Sequence, residues 1–348
     1  MNTTALTPWH ELHHAKMIDF YNTLLPVHYE TGIILEHEAV RTQAGIFDVS
    51  HMGQLFFKGE RALNQARQVL SMDIDALNIN QVKYGFVLRS DGTMVDDVLC
   101  MKTFPDEVLI IVNGANKDKV VEYLSDLFKD DSLVEDDSDL YSVIAFQGPL
   151  TQTLIQHLIP EPLDYYTFRH GTFNGFEMFI SRSGYTGEHG YEFILANKDA
   201  EKLWTYLLSL SDQVLPCGLG ARDSLRLEAG MPLYGHELND HLTPLDVGLG
   251  MFMPKTRRHL FGLENYVPHT KRIGFILNEK VIPREGYEIT QNSQVVGVVS
   301  SGTFSPSLKR GIAMALIKVD CDLTAEFDCI IRSKPYRLEI IKLPFIKK

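Results

Sequence analysis

The sequence predicts an α+β protein that ends in a small β-barrel. Three patterns carry this expectation. Short apolar runs broken by Gly, Asp and Asn fill residues 17–112, and strand and helix signals alternate from 142 to 229. After about residue 267 the helical signal fades, and short strand-like segments recur between turns at barrel-like spacing.

Within the first region, Gly45-Ile46-Phe47-Asp48-Val49-Ser50-His51-Met52-Gly53 is one such run, and residues 108–112 read as a buried strand. The most informative segment is Leu88-Arg89-Ser90-Asp91-Gly92-Thr93-Met94-Val95-Asp96-Asp97-Val98-Leu99. Asp91-Gly92 between apolar stretches signals a hairpin, because glycine takes positive φ at no steric cost and Asp tolerates such a turn. Residues 84–88 and 93–101 are therefore expected to pair as antiparallel strands. Side chains alternate along a strand, so Asp96 and Asp97 are expected on opposite faces, and one of them needs a partner or a purpose. Periodicity leaves open which. Residues 117–129 carry Val120, Val121, Leu124, Leu127 and Phe128 at helical spacing, a covering helix. The acidic stretch 130–139 reads as a solvated loop and edge, since like charges gain little by packing.

A strand is expected at 142–146, ended by Gln147-Gly148-Pro149, with a helix over 150–158. Another strand follows at 176–182, then helices at 199–211 and 221–229. The terminal strand-like segments are 272–277, 294–299, 312–317 and 329–331. The polar stretch opening at Pro254, with Lys255, Arg257 and Arg258, reads as a linker. The expected division is 1–253 as two α+β lobes, 254–268 as linker and 269–348 as barrel.

A chain of 348 residues, 45% apolar and 22% charged, has the composition of a globular protein of two or three domains. Its formal net charge of −12 disfavours nucleic acid and anionic membrane as partners. Cys100, Cys217, Cys321 and Cys329 form no CxxC pair, which favours reduced, packed thiols over disulfides or a metal cage. Residues 1–21 lack a signal or transit pattern and no stretch is long enough to span a bilayer, so a cytoplasmic location is expected.

Three motifs invite chemistry. His10-Glu11-Leu12-His13-His14 matches HExxH, but no third ligand or extension follows, so an amphipathic opening segment is the better reading and no metal is expected. Ser183-Gly184-Tyr185-Thr186-Gly187-Glu188-His189-Gly190-Tyr191-Glu192 combines three glycines, a flat ring and a carboxylate, and suits close approach to a planar ligand. A carboxylate such as Glu192 accepts two parallel N–H bonds, the pattern an amino-pyrimidinone edge offers; a glycine-rich hairpin with a structural Glu is the plainer alternative. Cys217-Gly218-Leu219-Gly220-Ala221-Arg222-Asp223 reads as a glycine turn feeding a helix, whose free N–H groups and Arg222 would attract an anion, unless Arg222 pairs with Asp223.

Taken together, Phe47 to Gly53, the Asp96-Asp97 hairpin, Val112-Asn113-Gly114-Ala115-Asn116, Gln147-Gly148-Pro149, Gly184-Tyr185-Thr186-Gly187-Glu188, Gly218 to Asp223 and Ser301-Gly302-Thr303-Phe304-Ser305-Pro306 resemble the folate-dependent aminomethyltransferase family, the T proteins of the glycine cleavage system. The likeness runs from about Met17 to Pro344. It implies a multi-lobed, cloverleaf-like fold with a C-terminal β-barrel. It also implies a reaction in which an aminomethyl group on the lipoyl arm of H protein passes to tetrahydrofolate, giving 5,10-methylenetetrahydrofolate and ammonia. Matched by position, Asp97 is the implied catalytic carboxylate and Asp96 the structural one. Met52, Tyr84, Asn113, Tyr165 and Tyr185 are implied folate contacts, Glu192 would grip the amino-pyrimidinone edge, and Arg222 would sit near the benzoyl-glutamate side. The chain departs from the family at Tyr21-Asn22-Thr23, at Met251 and over 258–265, segments that bear on how H protein docks. Two alternatives share the fold: a demethylase acting on a small sulfonium or amine, and a non-catalytic folate-binding protein of iron–sulfur cluster repair. The latter carries a Lys-Gly-Cys-Tyr-type segment where this chain has Ser183-Gly184-Tyr185-Thr186.

Overall fold

Apolar residues at alternate positions build two sheets in the unit formed by residues 1–87 and 95–222, one of two into which the chain divides. The computed structural model describes residues 1–277, 279 and 281–347. The first sheet has six strands in the order Phe168–Phe173, Phe176–Ser181, Gly190–Ala196, Tyr141–Gln147, Ala44–Asp48, Val214–Pro216. All neighbours are antiparallel except the last pair. The helix Asn197–Ser209 covers it, burying Ala200, Leu203, Trp204 and Leu207 at i, i+3, i+4 and i+7 against Phe146, Tyr191 and Phe193.

The second sheet has five strands in the order Val82–Leu88, Met94–Phe104, Glu107–Val112, Gly53–Lys58, Val134–Asp136. Its core holds Leu55, Phe57, Val98, Val108 and Ile110, and the helices Glu60–Val69 and Lys117–Phe128 supply Leu63, Ala66, Val120 and Leu124. Leu127, expected inward, is exposed. The acidic stretch does form an edge: Val134–Asp136 pairs only with Gly53–Lys58 among the described strands, and Glu135 meets Lys58 there. Near the chain start a two-stranded ribbon, Lys16–Phe20 with Thr23–His28, precedes the helix Ile33–Thr42.

The hairpin reads as expected. Gly92 sits at φ 83°, Gly92 N donates to Arg89 O at 2.9 Å, and Thr93 N donates to the Asp91 carboxylate at 3.0 Å. The helix over 150–158 is shorter than expected, Thr151–Ile155. Residues within the stretch read as a linker form a 3-10 helix, Lys255–Phe261, ended by Gly262 in a left-handed conformation.

The second unit, residues 88–94 and 223–348, contains the expected barrel. Its closed strand order is Thr270–Leu277, Arg310–Lys318, Gln294–Ser305, Glu288–Gln291, Phe327–Ile331, Lys334–Ile341. The last strand returns to the first, with Gly274 opposite Ile341, so no edge is left unpaired. Phe275, Ile289, Val299, Ala313, Ala315, Phe327 and Cys329 fill its interior. Sequence periodicity had not distinguished the short strand Glu288–Gln291 or the last, Lys334–Ile341. In this unit Arg226, 2% exposed, pairs with buried Glu237 at 3.1 Å and donates to Ser301 at 2.8 Å, which gives the Ser301-Gly302-Thr303 motif a structural task.

Candidate functional site

The strand Met94–Phe104 carries Asp96 and Asp97, and both carboxylates converge on one amide. Asp96 is fully buried and accepts from Asn113 N at 2.8 Å, Asn113 Nδ2 at 2.9 Å and Asn116 Nδ2 at 2.5 Å. Asp97 is half-buried; its Oδ1 accepts from Asn113 Nδ2 at 2.8 Å and its Oδ2 from the Tyr84 hydroxyl at 3.0 Å. Burial alternates along this stretch, with Asp96, Val98 and Cys100 buried and Asp97 and Leu99 half-buried, as expected of side chains on opposite faces, and the Asn113 amide reaches both carboxylates.

Asn113 follows the strand Glu107–Val112 and starts a 3-10 turn, Gly114–Asn116. A Cβ at Gly114 would stand 2.3 Å from His51 O, so only glycine lets the turn close against the segment that carries His51 and Met52. Burial pushes both carboxyls above the ordinary range. For Asp96 the charge of Asp97 adds to burial, and hydrogen bonds from Asn113 and Asn116 pull back; for Asp97 those from Tyr84 and Asn113 do so.

A second group forms around the glycine-rich loop. Glu192 lies on the strand Gly190–Ala196, opposite Ser181, rather than in the loop itself. Ser183 Oγ donates to Glu192 and neighbours Ser181 Oγ at 2.9 Å. Gln147, of the Gln147-Gly148-Pro149 motif, pins the loop: its Nε2 donates to Ser183 O at 3.1 Å and Tyr191 O at 3.3 Å, and its Oε1 accepts from Thr186 Oγ1 at 2.9 Å. A Cβ at Gly184 would fall 2.0 Å from Gln147 Oε1. Arg41 ties down the far side through Thr186 O at 2.7 Å and Glu188 at 2.8 Å.

Arg222 lies in the first turn of the helix Leu219–Glu228, with its guanidinium 4.8 Å from the centre of the Tyr185 ring. It does not pair with Asp223, which bonds Arg226 instead at 2.8 Å. Burial pushes the Arg222 guanidinium below its usual value, opposed by Glu192 and Tyr185, and among the described residues its buried Nη1 has no hydrogen-bond partner. The anion expected at this helix start is internal: Glu36, fully buried, accepts from Gly218 N at 2.9 Å and Tyr29 N at 2.6 Å. Gly218 and Gly220 allow the close approach, since a Cβ at Gly218 would meet the Val27 carbonyl at 2.5 Å.

Two bridges join the groups. Val82 N donates to Tyr166 O at 2.8 Å, which fastens the strand bearing Tyr84 to the segment bearing Tyr165. Tyr165 is 55% exposed and its ring lies 4.3 Å from that of Tyr166, whose hydroxyl is pushed up by burial, then by Tyr165 and Glu192. His51 packs edge-on against Phe20 at 5.4 Å; burial and then the Arg222 charge hold its pKa down at about 4. Met52 is half-buried in the same turn, its N donating to Val49 O at 3.1 Å. The geometry thus combines Asp97, Tyr84 and Asn113 directly, and Tyr185, Arg222 and Glu192 through charge and ring contact. Sequence reasoning passed over Asn116, Ser183, Tyr166 and His51 as site residues. His51, Asn116 and Ser183 lie within motifs that the sequence marks out, whereas Tyr166 lies in none of them.

The HExxH segment has other work. His10, fully buried, bonds Asp48 through Nε2 at 3.0 Å and the Tyr29 hydroxyl through Nδ1 at 2.8 Å, while His13 stacks on Trp9 at 3.7 Å. Both His10 nitrogens are engaged, and among the described residues no group of three or more His, Cys, Asp or Glu is arranged for a metal ion. No helix among them is long and apolar enough to cross a membrane.

Residues 6–257 match the GCVT N-terminal domain, and residues 271–347 match the glycine cleavage T-protein C-terminal barrel domain. An aminomethyltransferase of Alkaliphilus metalliredigens is 39% identical, over 99% of this chain and 97% of its own length. One from Chlorobium chlorochromatii is 41% identical over 90% of this chain and 89% of its own. The crystal structure of the glycine cleavage system aminomethyltransferase T from Bartonella henselae superposes with a TM-score of 0.91 at 29% identity, covering 99% of this chain and 98% of that one.

Proposed function

Because the chain belongs to the glycine cleavage T-protein family of aminomethyltransferases, we propose that it moves the methylene of an aminomethyl group from the lipoyl arm of H protein to tetrahydrofolate. Ammonia leaves, and the products are 5,10-methylenetetrahydrofolate and dihydrolipoyl H protein. The demethylase and non-catalytic alternatives are not favoured, since relatives matched over nearly their full length are aminomethyltransferases. Four free thiols suit a reducing cytoplasm, where we place the reaction.

The observation that carries the reading is Asp97, a half-buried carboxylate gripped on one oxygen by Asn113 and on the other by Tyr84. Each oxygen keeps a further lone pair, so Asp97 can orient an N–H of the reduced pterin and face the positive charge that grows as ammonia departs and an iminium-like centre forms. Its raised pKa also suits it to take up the pterin proton. Tyr84, Asn113, Tyr165, Tyr185 and Met52 would wall the ring. Glu192, held by Ser183, would accept from the amino-pyrimidinone edge. Arg222, with an unpaired buried N–H, would meet the benzoyl-glutamate side. The folate is an acceptor substrate, and no metal enters the scheme. The test is turnover: the protein, tetrahydrofolate and aminomethylated lipoyl H protein should yield ammonia and methylenetetrahydrofolate in equal amounts. Absence of both products with a competent H protein would overturn the assignment.

A further inference from the structure

Asn113 faces two carboxylates, and this fixes which way its amide points. Nδ2 is 2.9 Å from Asp96 Oδ1, 2.8 Å from Asp97 Oδ1 and 3.1 Å from Asp97 O. Two N–H groups are thus fully used by three acceptors, and the reverse orientation would set an amide oxygen against two carboxylates. Asp96 holds the backbone of Asn113 as well, through the 2.8 Å bond to its N–H, and is itself steadied by Asn116. Among the described residues no hydrogen bond engages Asn113 Oδ1, and Asn113 is only half-buried, so that oxygen remains for a ligand.

We propose that Asp96 is a positioning residue that sets substrate selectivity: by locking Asn113 with both N–H groups inward, it leaves beside Asp97 a wall made of acceptors, which takes the N–H-bearing tetrahydro ring and disfavours the oxidised pteridine. The inference rests on the folate reading above and adds to it. Tetrahydrofolate carries N–H at both N5 and N8, dihydrofolate at N8 alone, and folic acid at neither; in the oxidised ring those nitrogens are acceptors and would face acceptors. A site that hydrogen-bonds a given N–H rejects the analogue lacking it strongly, because its own buried polar groups are then left unpaired. Replacing Asp96 by Asn removes the lock. Three donors now meet one oxygen and one NH2 group, and the new N–H competes to draw Asn113 Oδ1 inward, turning a donor towards the ligand.

The experiment is equilibrium binding of tetrahydrofolate, dihydrofolate and folic acid to the full chain, by calorimetry under anaerobic conditions. The wild type should bind in that order, with at least tenfold between the first and last. Asp96→Asn should weaken tetrahydrofolate at least tenfold and change folic acid less than threefold, so the preference collapses; in turnover the loss should fall more on the folate KM than on kcat. A merely structural Asp96 would weaken all three ligands alike, and that result overturns the proposal. Should Asp96→Asn fail to fold, the wild-type series decides: equal affinities for tetrahydrofolate and folic acid also overturn it. Selective binding without turnover would instead defeat the proposed reaction and leave this inference standing.

Discussion

Replacing Asp97 by Asn separates charge from shape. The new Oδ1 still accepts from Asn113, and the Nδ2 group meets the Tyr84 hydroxyl, which can turn to accept, so both contacts at 2.8 and 3.0 Å survive. What is lost is one negative charge beside the developing cation. Removing one preorganised electrostatic group of this kind costs roughly 3 kcal/mol, so turnover should fall about 10²–10³-fold. Stability should move the other way. Both carboxyls are raised by burial, so the folded protein binds protons that the unfolded chain has already released above about pH 3.9. The stability these groups contribute is present below that ordinary value and is lost as pH rises through the raised values. At pH 7 the pair is a net cost, and Asp97→Asn relieves the repulsion on Asp96. Its Tm at pH 7 should equal or exceed that of the wild type, and the difference should vanish on acidification to about pH 4. The wild-type rate should likewise fall on the acid side at a pH well above 3.9. The assays are ammonia release with aminomethylated H protein and thermal unfolding at the two pH values. Turnover within tenfold of the wild type, or a Tm several degrees lower at pH 7, would refute the reasoning.

Arg222→Ala removes a cation stacked on Tyr185, and the folate KM should rise about tenfold while kcat changes little; steady-state kinetics at varied folate checks it, and an unchanged KM takes Arg222 out of the pocket. Gly184→Ala places a methyl 2.0 Å from Gln147 Oε1, whose amide is held by Ser183, Thr186 and Tyr191, so denaturant unfolding should show a loss of about 1–3 kcal/mol. His10→Ala strips a partner from fully buried Asp48 and should cost roughly 3–5 kcal/mol in the same measurement, whereas a chelator should leave wild-type stability unchanged. A chelator effect as large as the substitution would revive a metal at His10.

Local signals carried much of this protein. Gly92 in the hairpin turn, the helices over 117–129 and 199–211, and the strand-rich end after 267 are visible because turns, amphipathic helices and short strands are written in neighbouring residues. The ordered motifs from Phe47 to Pro306 were legible in the same way, and they pointed to the family that the domain matches bear out. Less was legible where partners lie far apart in sequence. Gln147 pins a loop some forty residues on, and nothing in the Gln147-Gly148-Pro149 segment says so. His10-Glu11-Leu12-His13-His14 looked like a ligand pattern, yet His10 is bound by Asp48 and Tyr29 from separate elements.

The sequence by itself determined the class of fold and the terminal barrel, because residue type and spacing limit what a strand, turn or helix can present; the residues grouped around Asp97 were named by the family resemblance of its motifs. Which of the paired carboxylates is sealed and which remains open, and the direction of the Asn113 amide between them, were decided only in three dimensions. Alternation along a strand puts the two carboxylates on different faces, but which face is sealed depends on the cores and hydrogen-bond partners that distant segments bring up against it.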